Sequence, residues 1–374
     1  MKSEEMDFLD VFGQLDDPRI DRKKLHPMPE ILLLTLCAVI CGAESWDDIE
    51  TFGQAKVEFL RRYLPYDHGI PSDDTLRRFF RAIDPMQFQR LFIEWIRAWL
   101  HPEVADKVVA IDGKTLRGSR DGTQLPIHLV SAFASEAGIV LGQIKTHEKS
   151  NEITAIPELL EWLDVRGAIV TIDAMGCQKA IAKKIVDKGG DYLLALKGNQ
   201  SRLHDDVRLH FEEPGPQASI QMEQAETLDK GHGRIEVRRC RVSTDIDWLK
   251  ERHPEWSNLS SIVAITSERH IGETVTQETR YFISSSLIPA ERMLAAVRLH
   301  WGIENQLHWV LDMSFGEDQS RIRKGNAPSN VAIIRHAALN MIRGAKTKRM
   351  SIKRMRKAAG WDDALLSDVL AQVF

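Results

Sequence analysis

Acidic side chains dominate the parts of this sequence where chemistry could reside. Residues 301–319, WGIENQLHWVLDMSFGEDQ, place Glu304, Asp312, Glu317 and Asp318 on or just after what reads as one helix, among Trp301, Trp309 and His308. Two other segments share a form: VVAIDGKTLRGS (108–119) and AIVTIDAMGCQ (168–178) are apolar runs that end in Ile-Asp before a small residue. That pattern puts Asp112 and Asp173 at the carboxyl ends of strands, the edge at which open α/β sheets bind ligands. An Asp there can also simply cap a turn. If the two strands are neighbours, like charges ~4 Å apart repel by roughly 4 kcal/mol at an effective dielectric near 20, so a proton or a cation must sit between them. Oxygen-only ligands suit Mg²⁺ or Mn²⁺ better than Zn²⁺. A third acid, from a later helix packed on the sheet, would complete such a site.

Glu304 and Asp312 compete for that role. Eight residues at 1.5 Å rise separate them by ~12 Å along a helix, too far to ligate one metal pair whose ions lie ~3.5 to 4 Å apart. His300, Glu304 and His308 also form a stripe at i, i+4 and i+8. A zinc site there would need a further ligand, and helix-surface Glu–His pairs are the plainer reading. Glu148 and Glu152 open a helix, where acids stabilise the positive end of the dipole.

Other polar candidates for contact with nucleic acid lie near the same edge. Lys197 and Asn199 follow a strand in LKGNQ; His232 and Arg234 flank a glycine turn in GHGRIEVR; Trp301 and Trp309 are half core, and one could stack on an unpaired base; Arg77, Arg78 and Arg81 lie on one amphipathic helix.

The elements that must position these groups fall into blocks. Residues 1–100 read as helices, including the apolar ILLLTLCAVICGA and PSDDTLRRFFRAI, a helix started by Pro71 and Ser72. Residues 104–200 read β-β-β-α-β-α-β, a mixed sheet flanked by helices. Residues 201–286 read as a β-rich insertion, 287–345 return to helix, and 346–374 form a basic tail. Over 342–358 there are eight Lys+Arg and no acid, whereas residues 1–60 hold 13 Asp+Glu against 6 Lys+Arg.

The 374 residues, 43% hydrophobic and 28% charged, describe a globular chain of two or three units. Its net charge of −4 is unevenly spread, which leaves a nucleic-acid partner open. The longest apolar run is too short to span a bilayer. Cys37, Cys41, Cys177 and Cys240 show no metal or disulfide spacing, so reduced thiols in the cytoplasm are expected.

The blocks AIDGKTLRGS, KTHEKSNEITAIPELL, TIDAMGCQ, DYLLALKGNQ, GHGRIEVR, HWGIENQLHWVLDMSFGED and IRKGNA, with ILLLTLCAVICGAESWDDIE near the front, occur in order. Together they make the chain resemble DDE transposases of bacterial insertion sequences, in the branch of the H-repeat-associated proteins linked to Rhs elements. The resemblance implies an α/β fold: an RNase H-like mixed sheet flanked by helices, interrupted by a β-rich insertion, behind an all-helical N-terminal domain. It implies a triad of Asp112, Asp173 and Glu304 that holds two Mg²⁺ (or Mn²⁺) ions, with Asp112 bridging both. It also implies cleavage and strand transfer of double-stranded DNA at terminal inverted repeats, with target DNA as second substrate and a homodimer on the DNA. Asp312 then becomes a positioning residue. His308, Lys197, Asn199, His232, Arg234, Trp301, Arg77, Arg78 and Arg81 become DNA-binding candidates. Related families keep a Tyr, an Arg and a Lys around the Glu, where this chain has Val297, His300 and Leu311. A catalytically inactive DNA-binding relic, or an RNase H-like nuclease with another substrate, are the alternatives from other classes.

Overall fold

The computed structural model describes residues 8–100, 107–122, 125–146, 151–213, 222–231, 233–345 and 350–371. Five helices come first: α1 (Phe8–Phe12), α2 (Met28–Ile40), α3 (Trp46–Leu60), α4 (Asp73–Ala82) and α5 (Pro85–Leu100). Twelve of the 13 residues of α2 are buried, as its unbroken apolar sequence requires, so it is the axle of this part rather than a surface helix. Local signals fix the starts of its neighbours. Ser45 and Asp48 form a capping box at α3, and the Ser72 side chain accepts from the Thr75 N–H at α4.

Strands β1 (Val108–Thr115), β2 (His128–Ala134), β3 (Ile139–Lys145), β4 (Ile169–Ile172) and β5 (Asp191–Leu196) follow, with α6 (Glu152–Trp162) and α7 (Lys179–Asp187) as crossovers. After α8 (Ser201–Glu212) come β6 (Glu223–Gly231), β7 (Arg234–Ser243), α9 (Asp247–Arg252), β8 (Ser261–Ile271) and β9 (Thr274–Ser284). All nine strands make one sheet in the order β3-β2-β1-β4-β5-β9-β8-β7-β6. The β-rich stretch therefore continues the core sheet, since β9 pairs antiparallel with β5.

The chain closes with α10 (Ala290–His300), a π-turn (Ile303–His308), α11 (Trp309–Phe315), α12 (Ala327–Gly344), α13 (Ile352–Trp361) and α14 (Asp363–Leu370). Buried α12 joins the two halves. Asn330 donates to the carbonyls of Phe80 and Ile83. Asn340 both donates to and accepts from the Val140 backbone, at 2.9 Å each way, on the otherwise open edge of β3. No helix among the described residues is long and apolar enough to cross a membrane.

Two sequence expectations need correction. The single helix expected over 289–313 is broken by the π-turn, in which Trp309 N–H donates to Glu304 C=O, one residue further back than in an α-helix. The expected basic tail is, over its described residues, a pair of packed helices. Arg356 is 3% exposed and donates to Val39 C=O in the last turn of α2 at 2.8 Å, and Lys56 pairs with Asp363 at 2.6 Å. Arg356 caps the end of α2 and Asp363 ties the tail to α3, while Lys353, Arg354 and Lys357 remain exposed.

Candidate metal centre

Strands β1 and β4 run parallel with Ile111 opposite Ile172, so Asp112 and Asp173 stand side by side; Asp173 follows the end of β4 as expected, whereas Asp112 lies within β1, which runs on to Thr115 because it stays paired with β2. The apolar runs before them are buried on both faces, as a central parallel strand demands, and the acids are the first polar groups past that layer. Asp173 Oδ1 accepts the N–H groups of Met175 (2.9 Å) and Gly176 (3.2 Å), which fixes the turn after β4. Both acids line a cavity of about 220 Å³ together with Lys197, His300, Trp301 and Glu304.

Glu304 arrives from the π-turn, whose extra residue turns Glu304 and His308 toward the same point. His308 Nδ1 lies 3.6 Å from Asp112 Oδ2 and 3.7 Å from Glu304 Oε2. Ligand atoms of Asp112, Glu304 and His308 converge within 4.8 Å. Asp173 stands outside that tight group, on the wall of the same cavity. Burial, reinforced by the nearby carboxyls of Glu304 and Glu152, pushes the Asp112 carboxyl up to about 7. His308 holds Glu304 below the usual range. Two carboxyls that meet at one imidazole nitrogen, one of them keeping its proton near neutrality, have the donor set to take a divalent cation. The mix of carboxylate oxygens with one imidazole nitrogen suits Mn²⁺ as well as Mg²⁺.

An ionic cluster braces this site from below. Lys114, two residues past Asp112 on the same strand face, pairs with Asp312 and, at 2.9 Å, with Glu317 Oε2. Arg335 lies 3.6 Å from the other Glu317 oxygen. Although burial alone would raise it, the Glu317 carboxyl is held low by Lys114 and Arg335. Sequence reasoning left Asp312 and Glu317 as positioning or solvated acids. Glu317 is 2% exposed, and both acids face Lys114 because a buried ammonium needs compensating charge.

With this geometry in place, comparison with known proteins is decisive. The family described as Transposase DDE domain matches residues 104–341, and the one described as DDE_Tnp_1-associated matches residues 9–96. The chain belongs to the DDE transposase family. It is 44% identical to the putative transposase YncI of Escherichia coli O157:H7, over 97% of this chain and 94% of that one. It is 43% identical to the H repeat-associated putative transposase YhhI of Escherichia coli strain K12, over 96% of each.

In this DDE transposase chain the remaining candidates divide by position. Lys197 is exposed on the cavity wall. Asn199 donates to Ala174 C=O at 2.7 Å and so pins the turn that holds Asp173. His300 is half-buried, with Nδ1 3.0 Å from the Thr171 hydroxyl; it lines the same cavity as Glu304 but lies outside the tight group of Asp112, Glu304 and His308. Trp301 is 47% exposed, about half in the surface, with the Arg280 guanidinium over its ring, and Trp309 is the more exposed of the two at 59%. Arg234 lies at the far end of a groove of about 410 Å³ that also contains Trp301 and Arg280. His232 and Glu148 fall outside the described residues. Arg77 and Arg78 are engaged by Asp73 and Asp74 on their own helix, whereas Arg81 is not.

One set of residues escaped the sequence reading. The Thr115 hydroxyl, His128 Nδ1 (2.9 Å), His128 Nε2 and Glu152 Oε1 (2.7 Å) form a chain over Gly113. A Cβ at Gly113 would collide with both side chains of that pair. Glu152 thus does more than open α6. The only signal in the sequence was the glycine beside Asp112, and pairing β1 with β2 was needed to place His128 there.

Proposed function

We propose that this transposase cuts and joins DNA strands at the terminal inverted repeats of an insertion sequence, with Asp112, Asp173 and Glu304 as its catalytic triad. The register that sets Asp112 beside Asp173, with Glu304 over them, carries this reading. Asp112 and Glu304, joined by Asp173, would hold two Mg²⁺ or Mn²⁺ ions, with His308 beside them, on an RNase H-like core. When bound, such ions lower the pKa of an attacking water or 3′-hydroxyl and stabilise charge that develops on the phosphate. The chain's own groups then orient the DNA. Lys197 offers charge to a phosphate at the cavity wall, Trp301 offers a ring face to an unpaired base, and the Asn199 bond keeps the Asp173 turn in place. A homodimer on the DNA brings two ends together, and the freed 3′-hydroxyl attacks target DNA.

Purified Asp112→Asn, Asp173→Asn and Glu304→Gln, assayed on end-containing duplex with Mg²⁺, test the assignment. Each is expected to lose cleavage by at least about a hundredfold, the scale of a removed electrostatic contact, and to keep DNA binding. Full activity in any one removes that residue from the triad. A wild-type chain that binds ends but cuts nothing would indicate a relic, and preferential cutting of an RNA–DNA hybrid would indicate a nuclease of different substrate.

A further inference from the structure

Past Asp112, strand β1 ends in a short 3₁₀ turn, Arg117–Ser119. That turn is locked to the loop before α12. A Cβ on Gly118 would collide with the Ser320 carbonyl, and Arg323 Nε donates to Gly118 C=O at 2.9 Å. The far end of the loop is locked in turn to the end of α4, where Asn326 N–H donates to Arg81 C=O at 3.4 Å and Asn326 Nδ2 to Ile83 C=O at 3.0 Å. Three segments remote in sequence therefore form one continuous surface.

That surface is cationic. Arg81, Arg117, Arg120, Arg321, Arg323 and Lys324 are all exposed. Only two carboxylates answer them among the described residues: Asp121 pairs with Lys324 at 2.7 Å, and Asp318 stays 3.7 Å from Arg117. The other acid of the loop, Glu317, is turned inward to Lys114. In a chain of net charge −4, six outward cations against two acids is a local concentration that repels itself unless a polyanion covers it.

We infer that this band is a docking surface for the phosphate backbone of duplex DNA, leading from the Arg81 end of α4 toward the carboxylates. The inference rests on the proposed function in taking DNA as the partner, and it goes beyond it in naming the surface. Arg117 follows Asp112 by five residues, three of them strand, so at ~3.3 Å each it lies no more than about 16 Å away, or up to about five base pairs along a duplex at ~3.4 Å per pair. Exposed cations spread over three segments match a repeating phosphate charge, not a single anion in a pocket. Residues 117–121 and 318–326 contain no aromatic side chain, so the stacking platforms of a single-strand groove are missing there.

Two variants of the full chain test this: Arg321→Gln/Arg323→Gln/Lys324→Gln, and Arg117→Gln/Arg120→Gln, which keeps the Arg323–Gly118 bond. Binding to a duplex and to its single strand would be followed between about 50 and 200 mM salt. Each variant should bind duplex at least tenfold more weakly, the double variant with an unchanged melting temperature and the triple variant, which loses the Arg323–Gly118 bond, with only a small drop. The log–log salt slope of the triple variant should become shallower by about 2 to 3, at about 0.9 per lost phosphate contact. Wild-type affinity and slope in both variants, or a loss confined to the single strand, would overturn the assignment. Such a result alongside an inactive Asp112→Asn leaves the catalytic reading standing, whereas a wild-type chain that binds DNA through this band yet never cuts it would sink only the catalytic reading.

Discussion

Lys114 Nζ sits 2.9 Å from Glu317 Oε2, with both side chains nearly removed from water. The pair joins the strand that carries Asp112 to the segment just after the helix that carries Glu304, so it sets how strand and helix meet. A buried ion pair adds little net stability, but removing one partner strands the other, at roughly 3–5 kcal/mol. Lys114→Met should destabilise the chain by about that much in urea unfolding, and Lys114→Arg, which keeps a cation facing Asp312 and Glu317, should recover at least half. A Lys114→Met loss under about 1 kcal/mol would mean that the cluster does not hold these elements together. Asp312→Asn, at the more exposed end, should lose about 1 kcal/mol or less.

The raised Asp112 carboxyl makes a signed prediction for the metal-free protein. A carboxyl whose folded value, about 7, lies above its unfolded value of 3.8 binds its proton more tightly when folded, so stability falls as pH rises from about 4 to about 7. Asp112→Asn removes that penalty. The variant should melt higher than wild type at pH 8, by an amount worth about 1 to 3 kcal/mol, and match it at pH 4. Added Mg²⁺ or Mn²⁺ should raise the wild-type midpoint more than the variant's. Equal melting curves at pH 8 would contradict the raised value.

The π-turn predicts a difference between substitution and deletion. Removing exposed Asn305 restores ordinary helical spacing and turns Glu304 by about 100° relative to the anchored α11. Because a π-turn is itself unfavourable, thermal stability should change by only about 1 kcal/mol. Mg²⁺-dependent cleavage should fall at least a hundredfold. Retained cleavage in the deletion would show that the extra residue does not aim Glu304.

Trp301 is half exposed under Arg280 and packs on little else, so Trp301→Ala should leave the melting temperature nearly unchanged. DNA with unpaired bases at the cleavage point should bind it about tenfold more weakly, the lower end of 1–3 kcal/mol per stacked base, and Trp301→Phe should restore part of the loss. Equal affinities for all three proteins would remove Trp301 from the DNA contact.

Much of this arrangement was legible in the residues. β1 to β5 announce themselves as β-branched runs between turns, and an apolar strand ending in Ile-Asp marked Asp112 and Asp173. What escaped depended on partners distant in sequence. Strand β6, EQAETLDKG, is a charged edge strand with no alternating apolar pattern to betray it. Nothing in the sequence around Lys114 points to Asp312 and Glu317, which meet it from some 200 residues away. The π-turn left no trace, because Ile303, Leu307, Val310 and Leu311 keep the i, i+4, i+7, i+8 spacing of an ordinary helix.

The burial of α2 beneath α12 and α13 has a consequence for synthesis. Its ILLLTLCAVI surface leaves the ribosome among the first segments, yet the helices that cover and cap it are made last. Until then, a growing chain presents that apolar face to chaperones and proteases. A frame cut short before Arg356 would leave it bare for good, so quality control in the cell would clear truncated copies and spare complete ones.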